Sequence, residues 1–131
     1  MSNYIEIAPR GAVRMTQKGK FMDKSAMAYL SYKNEIGYKL REMYPEPMKT
    51  PVAVNMTFWM PIPSSGSKRQ QFEMNGRPHQ KRPDIDNLIK GFFDAANKIV
   101  WQDDNLVVKC TAQKRYAEQP GIEFEIEEVA G

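Results

Sequence analysis

The chain is poor in the residues that build disulfide, thiolate-metal and membrane proteins. Among its 131 residues there is one cysteine, Cys110, and one histidine, His79. A single thiol makes no internal disulfide, and a cysteine-rich zinc site is excluded. No stretch approaches the roughly 20 apolar residues that a bilayer-crossing helix needs. The N-terminal MSNYIEIAPRG carries no apolar run of the secretory kind, so the expected setting is reducing and cytoplasmic. A large excess of either charge is also missing. The formal net charge is +3, so any polyanionic partner must be met by local arrangement rather than by the bulk field. What is present is an ordinary globular mix, 41% hydrophobic and 27% charged, which argues against disorder. The length suits one domain, residues 1–131, with a modest core.

The charge is unevenly placed. RGAVRMTQKGK carries Arg10, Arg14, Lys18 and Lys20 without an acidic residue. Lys68, Arg69, Arg77, Lys81 and Arg82 follow in a second basic stretch, opposed only by Glu73, whereas the C-terminal GIEFEIEEVA is acidic. Two basic loops opposite an acidic edge can seat a polyanion on one side. Two solvated surface loops have the same composition, and charge alone does not separate the readings.

Hydrophobic spacing gives the elements. Tyr4 to Ile7 reads as a short strand. Asp23 or Ser25 is placed to cap a helix whose stripe is Tyr29, Tyr32, Ile36, Leu40 and Met43, spaced by three and four. The prolines of PEPMKTP break the chain before a strand at Val52 to Trp59. A long polar connection runs from Pro61 to Pro83, and such loops in small domains are usually functional or disordered. A second helix extends from Ile85 or Asp86 to Ile99, QDDN turns the chain, and strands follow at Leu106 to Gln113 and around Ile122, Phe124 and Ile126. The order β-α-β-α-β-β predicts an α+β fold, with helices packed on a mixed sheet.

Chemistry concentrates in KRPDIDNLIKGFFDAANKIVWQDDN, residues 81–105. An aspartate after Pro83 is a good helix start, and capping plus the helix dipole account for one carboxylate and tolerate a second. Two aspartates on alternate positions, Asp84 and Asp86, are also the hard-oxygen pair that converges on Mg²⁺. Lys90 lies one turn beyond Asp86. It is placed either for an i,i+4 ion pair or to stabilise charge growing on a phosphate. Asp103 and Asp104 suit a tight turn as well as a second acidic pair. Taken together the residues favour a metal-dependent phosphodiesterase.

RPDIDNLIK, an apolar helix and WQDDNLV resemble the core signature of the RusA family of Holliday junction resolvases, most strongly over residues 79–108. The resemblance implies a Mg²⁺-dependent homodimeric endonuclease of bacterial or phage type, with Mn²⁺ as a possible substitute. Such an enzyme cuts four-way DNA junctions by paired nicks in recombination and repair. It puts the essential acidic residues and metal ligands on Asp84, Asp86 and Asp104, and the essential lysine on Lys90. The two basic stretches, with His79, become the expected DNA contacts. A helix of this length sets Asp104 far from Asp84 and Asp86. Two readings follow: antiparallel helices across a dimer twofold share the site, or the turn returns within one chain. The alternative functions are a branched-DNA binding protein that does not cut, and a small-molecule phosphoesterase.

Other residues have plainer readings. Phe72 and Met74 in the polar connection are expected to fold back as a satellite cluster, with wedging between bases as the other reading. Trp59 and Trp101 are expected to pack. Cys110 alternates onto the apolar face of its strand and is expected to be buried.

Overall fold

The computed structural model describes residues 2–14 and 24–130. Lys18, Lys20 and Asp23 therefore lie outside the described residues. The elements are β1 (Asn3–Ile5), α1 (Lys24–Met43), β2 (Val52–Pro61), α2 (Lys68–Met74), α3 (Ile85–Ala96), a 3-10 turn (Asp104–Leu106), β3 (Val107–Ala117) and β4 (Gly121–Glu128). The strands form one mixed sheet in the order β1-β4-β2-β3. β2 runs parallel to β3 and antiparallel to β4, and β1 closes the other edge antiparallel to β4. A parallel β2–β3 pair needs a crossover, and the segment containing α2 and α3 supplies it.

Alternation along β2 decides which face is covered. Val52, Val54, Met56, Phe58 and Met60 are buried, and α1 and α3 lie over them. α1 contributes Tyr29, Tyr32, Ile36 and Leu40, as its three-and-four spacing requires. α3 contributes Leu88, Phe92, Ala95 and Ala96. The opposite face of the sheet carries Asn55, Thr57, Lys109, Thr111, Gln113 and, from β4, Glu123, Glu125 and Glu127.

Several boundaries differ from the sequence expectation. The polar connection holds a two-turn helix, α2, which has no buried residue and so shows no apolar period. It is fixed by a capping box: Gln70 N–H donates to Ser67 Oγ at 3.1 Å, and Ser67 N–H donates to Gln70 Oε1 at 2.9 Å. Phe72 on α2 is 73% exposed, so it does not fold back into a satellite cluster. α3 ends at Ala96 rather than Ile99 because Lys98 takes a φ of 68° and turns the chain, its N–H donating to Trp101 O at 2.8 Å. Ser25 lies within α1 rather than ahead of it. Trp101 packs as expected, fully buried. Cys110 is exposed, not buried: β3 is the edge strand, and the apolar side of an edge is only partly covered.

Candidate active site

Pro83 leads into α3, and Asp84 is its N-cap, with extended backbone angles φ −66° and ψ 150°. Capping is nevertheless not what its side chain does, because no cap hydrogen bond forms. Among the described residues no hydrogen bond or ion pair reaches the Asp86 carboxylate either. Lys90 does not pair back to Asp86; its Nζ lies 3.6 Å from Asp94 Oδ1, one turn further on. Asp94 is fixed in turn by the Tyr29 hydroxyl, which donates to Oδ2 at 2.9 Å. Burial, then that bond, holds the Tyr29 hydroxyl well above its usual pKa, so it stays a donor. Asp94 thus anchors Lys90 along the exposed flank of α3, a role the sequence reading did not assign.

The first basic loop lies against this helix start. Ala12 N–H donates to Asn87 O at 3.0 Å. Gly11 has no side chain because one would meet Pro83: a Cβ there would come within 2.8 Å of the proline's Cβ. Gly11, Ala12, Arg82, Pro83, Asp84 and Asn87 line an open cleft of about 590 Å³. Arg10 and Arg14, close to Gly11 and Ala12 in the chain, are exposed.

The second basic stretch is held from below by β3. Tyr116 N–H donates to Arg77 O at 2.9 Å, Gly76 N–H donates to Tyr116 O at 2.8 Å, and Arg115 Nε donates to Gly76 O at 2.8 Å. Lys114 ties this stretch to the start of α3. Its Nζ donates to Lys81 O and, at 2.8 Å, to Pro83 O, the carbonyl immediately before Asp84. His79 packs on Tyr116 with ring centroids 4.9 Å apart. Burial first, then the charges of Lys114 and Lys81, push its pKa below the ordinary histidine value. Lys68, Arg69, Arg77, Lys81 and Arg82 are exposed, although Arg69 is engaged with Glu73 at 3.2 Å.

The second acidic pair is built differently. Asp103 caps the 3-10 turn, its Oδ1 accepting from Asn105 N–H at 3.0 Å. Asp104 Oδ1 accepts from the indole Nε1 of buried Trp101 at 2.7 Å, which fixes its carboxylate and leaves the other oxygen to act. This pair stands at the far end of α3 from Asp84. Twelve residues of helix span about 18 Å. The strand gives the same scale independently: Lys114 holds the Asp84 end and Val107 adjoins Asp104, about 23 Å apart at the usual rise per strand residue. Accordingly, no group of three His, Cys, Asp or Glu residues converges among the described residues.

The donor set at Asp84 and Asp86 suits Mg²⁺. It consists of two carboxylate side chains, at a loop–helix junction, without side-chain partners among the described residues, and Mg²⁺ typically takes one or two carboxylates and completes its shell with waters and phosphate oxygens. Cationic side chains surround it, as a site for a phosphodiester requires. An acidic pair set among basic loops on an α+β frame is the layout of a phosphodiester-cleaving enzyme. Residues 5–127 match the family described as endodeoxyribonuclease RusA, and the chain belongs to that family of nucleases. It is also similar to an uncharacterized protein of Bacillus subtilis (strain 168), YqaN, with 31% identity over 127 residues, or 93% of this chain and 87% of the relative. No described helix is long and apolar enough to cross a membrane.

Proposed function

We propose that this protein is a Mg²⁺-dependent, homodimeric resolvase that cuts four-way DNA junctions by paired, symmetric nicks, in recombination and repair. The family generally has Holliday junction resolvase activity and generally depends on a divalent metal. The observation that carries the reading in this chain is Asp84. It occupies a helix N-cap but spends no side-chain bond on capping, and it stands beside a basic cleft with Asp86, which has no partner among the described residues.

In this reading Asp84 and Asp86 hold the cation, and Asp104 of a second protomer completes the acidic set. When bound, Mg²⁺ (or Mn²⁺) supplies Lewis-acid activation of the phosphate and of water. The chain's own residues do the rest. Lys90, oriented by Asp94, offers its ammonium to the negative charge that grows on the phosphorus oxygens. Lys114 fixes the backbone ahead of Asp84. Arg10, Arg14, Arg77, Lys81 and Arg82 neutralise the approaching strands, with Lys18, Lys20, Lys68, Arg69 and His79 as further contacts. A twofold dimer matches the approximate twofold symmetry of a junction that needs two opposed cuts.

Cleavage of a synthetic four-way junction, with linear duplex as control, tests this directly. Metal-dependent paired nicks in the junction, lost in Asp86→Asn, are expected. Tight junction binding without cutting in Mg²⁺ or Mn²⁺ would instead identify a branched-DNA binding protein.

A further inference from the structure

α2 stands apart from the core, since none of its residues is buried. It is held by polar bonds at both ends instead. The Ser67–Gln70 capping box fixes its start, and Gln71 Nε2 donates to Ser64 O and to Gly66 O, each at 3.2 Å. Arg69 and Glu73 pair across one turn at 3.2 Å. At the far end Asn75 N–H donates to Phe72 O at 3.2 Å, and Gly76 and Arg77 are then fastened to Tyr116 of β3. On this braced helix Phe72 is the one aromatic residue, and it is 73% exposed. Gln71 and Glu73 flank it in the chain.

The surroundings of the ring name what can cover it. A stable protein interface buries roughly 1,000 Å² or more, and a single phenyl group among polar side chains offers far less apolar surface. Charge points elsewhere. Lys68 and Arg69 precede the ring, Arg77, Lys81 and Arg82 follow it, and all five are exposed. Glu73, the one acidic residue of this stretch, is taken up by Arg69. An open aromatic ring among cations is the composition of a surface on which nucleic-acid bases stack while the cations meet the backbone. The position agrees. Lys114 holds the Pro83 carbonyl just ahead of Asp84, and Tyr116, two residues along β3, holds the chain at the end of α2. These two anchor points are about 7 Å apart at the usual strand rise. The ring and the acidic pair are thus mounted on the same end of one strand.

We propose that Phe72 is a specificity-determining residue, whose ring stacks on a base left open at the branch of the DNA substrate. The proposal rests on the reading above that this protein acts on four-way junctions. Within linear duplex each base is covered by its neighbours in the stack, so the ring meets no free face. At a branch the stack is interrupted, and opening a base there costs least. Phosphate contacts from the basic residues are common to branched and linear DNA and carry no such distinction. Phe72 separates the two substrates where those residues do not.

Binding without divalent metal tests this apart from cutting. Wild type, Phe72→Ala and Phe72→Trp are compared on a four-way junction, a linear duplex and a duplex with a small bulge of unpaired bases. Phe72→Ala should bind the junction and the bulge about tenfold or more weakly, the size of one lost base–aromatic stack. Its affinity for linear duplex should change less than about twofold, and the salt dependence on the junction should stay as in wild type. Phe72→Trp, with a larger face, should keep tight binding. Because the ring is exposed, both variants should match wild type in urea unfolding. Unchanged binding of junction and bulge by Phe72→Ala would overturn the proposal, and so would an equal loss on all three DNAs. A wild type without junction preference, whose Phe72→Ala variant still loses the bulge, would keep the stacking residue and remove the junction reading. Junction preference and Mg²⁺-dependent paired nicks that survive in Phe72→Ala would do the reverse. Sedimentation without DNA checks the other occupant: a changed association state in Phe72→Ala would put the ring in a contact between copies and overturn the proposal.

Discussion

The two ends of α3 each carry an aspartate pair, and the chain treats them in opposite ways. At the start, Asp84 occupies a cap position without capping, and nothing described pairs with Asp86. At the far end both carboxylates are engaged, Asp103 by the backbone of Asn105 and Asp104 by the indole of Trp101. A carboxylate tied by its own chain can be lost only at a cost to the fold. One left open with cations around it does little for the fold and is free to serve something outside the chain. The same residue type is thus tied down at one end of the helix and left open, among the described residues, at the other, with Asp104 between them, fixed through one oxygen only.

Substitution at the two ends should separate these uses most sharply. Asp84→Asn is expected to lower junction cleavage about a thousandfold or more, since ligand loss removes several kcal/mol of charge stabilisation. Its unfolding free energy should stay within about 0.5 kcal/mol of wild type. Asp103→Ala should behave inversely, losing about 1 kcal/mol in urea unfolding and retaining cleavage. If Asp84→Asn proves as destabilising as Asp103→Ala, the distinction fails.

A smaller effect is expected beneath the acidic pair. Lys114→Met keeps the side-chain stem but frees the carbonyls of Lys81 and Pro83. Two charge-assisted hydrogen bonds of this kind are worth about 2 kcal/mol together when half-exposed, and a misplaced Asp84 should lower cleavage about tenfold or more. The loss should fall on kcat and on apparent Mg²⁺ affinity, whereas junction affinity should be nearly unchanged. A fall in junction affinity alone would make Lys114 a phosphate contact instead.

The smallest effect concerns His79. Its neutral form is favoured in the fold, so its folded pKa lies below the unfolded value near 6.5. The stability it contributes is complete above that pH. It declines as pH falls from 6.5 through the folded value, where the unfolded chain binds the proton more readily. As the only histidine, it gives one unambiguous ring-proton titration by NMR, and the midpoint should lie below 6.5. A midpoint above 6.5 would mean that the loop from Gly76 to Pro83 is open to solvent and not packed on Tyr116.

Much of the frame was legible from periodicity. The stripe of α1 as far as Leu40, the alternation of β2 and much of the apolar run of α3 name buried residues because burial on one face forces a period, whereas Met43, which continues the stripe, is exposed. α2 was missed where that logic is silent: it buries nothing, and only the Ser67–Gln70 capping box, written in the sequence as SKRQ, marks it. The end of α3 was misplaced because Lys98, not glycine, adopts the left-handed conformation there. Trp101 read as core, and its bond to Asp104 was invisible because two residues three apart in a turn meet only through the path of that turn.

The sequence by itself determined the family, the α+β order and the identity of the acidic residues, since these depend on residue type and local spacing. The tertiary structure decided how those residues are used. Only packing shows that Lys114, some 30 residues beyond Asp84, holds the backbone in front of it, or that Lys90 turns toward Asp94. The edge position of β3 is likewise a property of the sheet order. A strand's own residues state which face is apolar, but whether a neighbour covers its edge depends on segments far away in the chain. That is why Cys110 was expected inside and is found exposed.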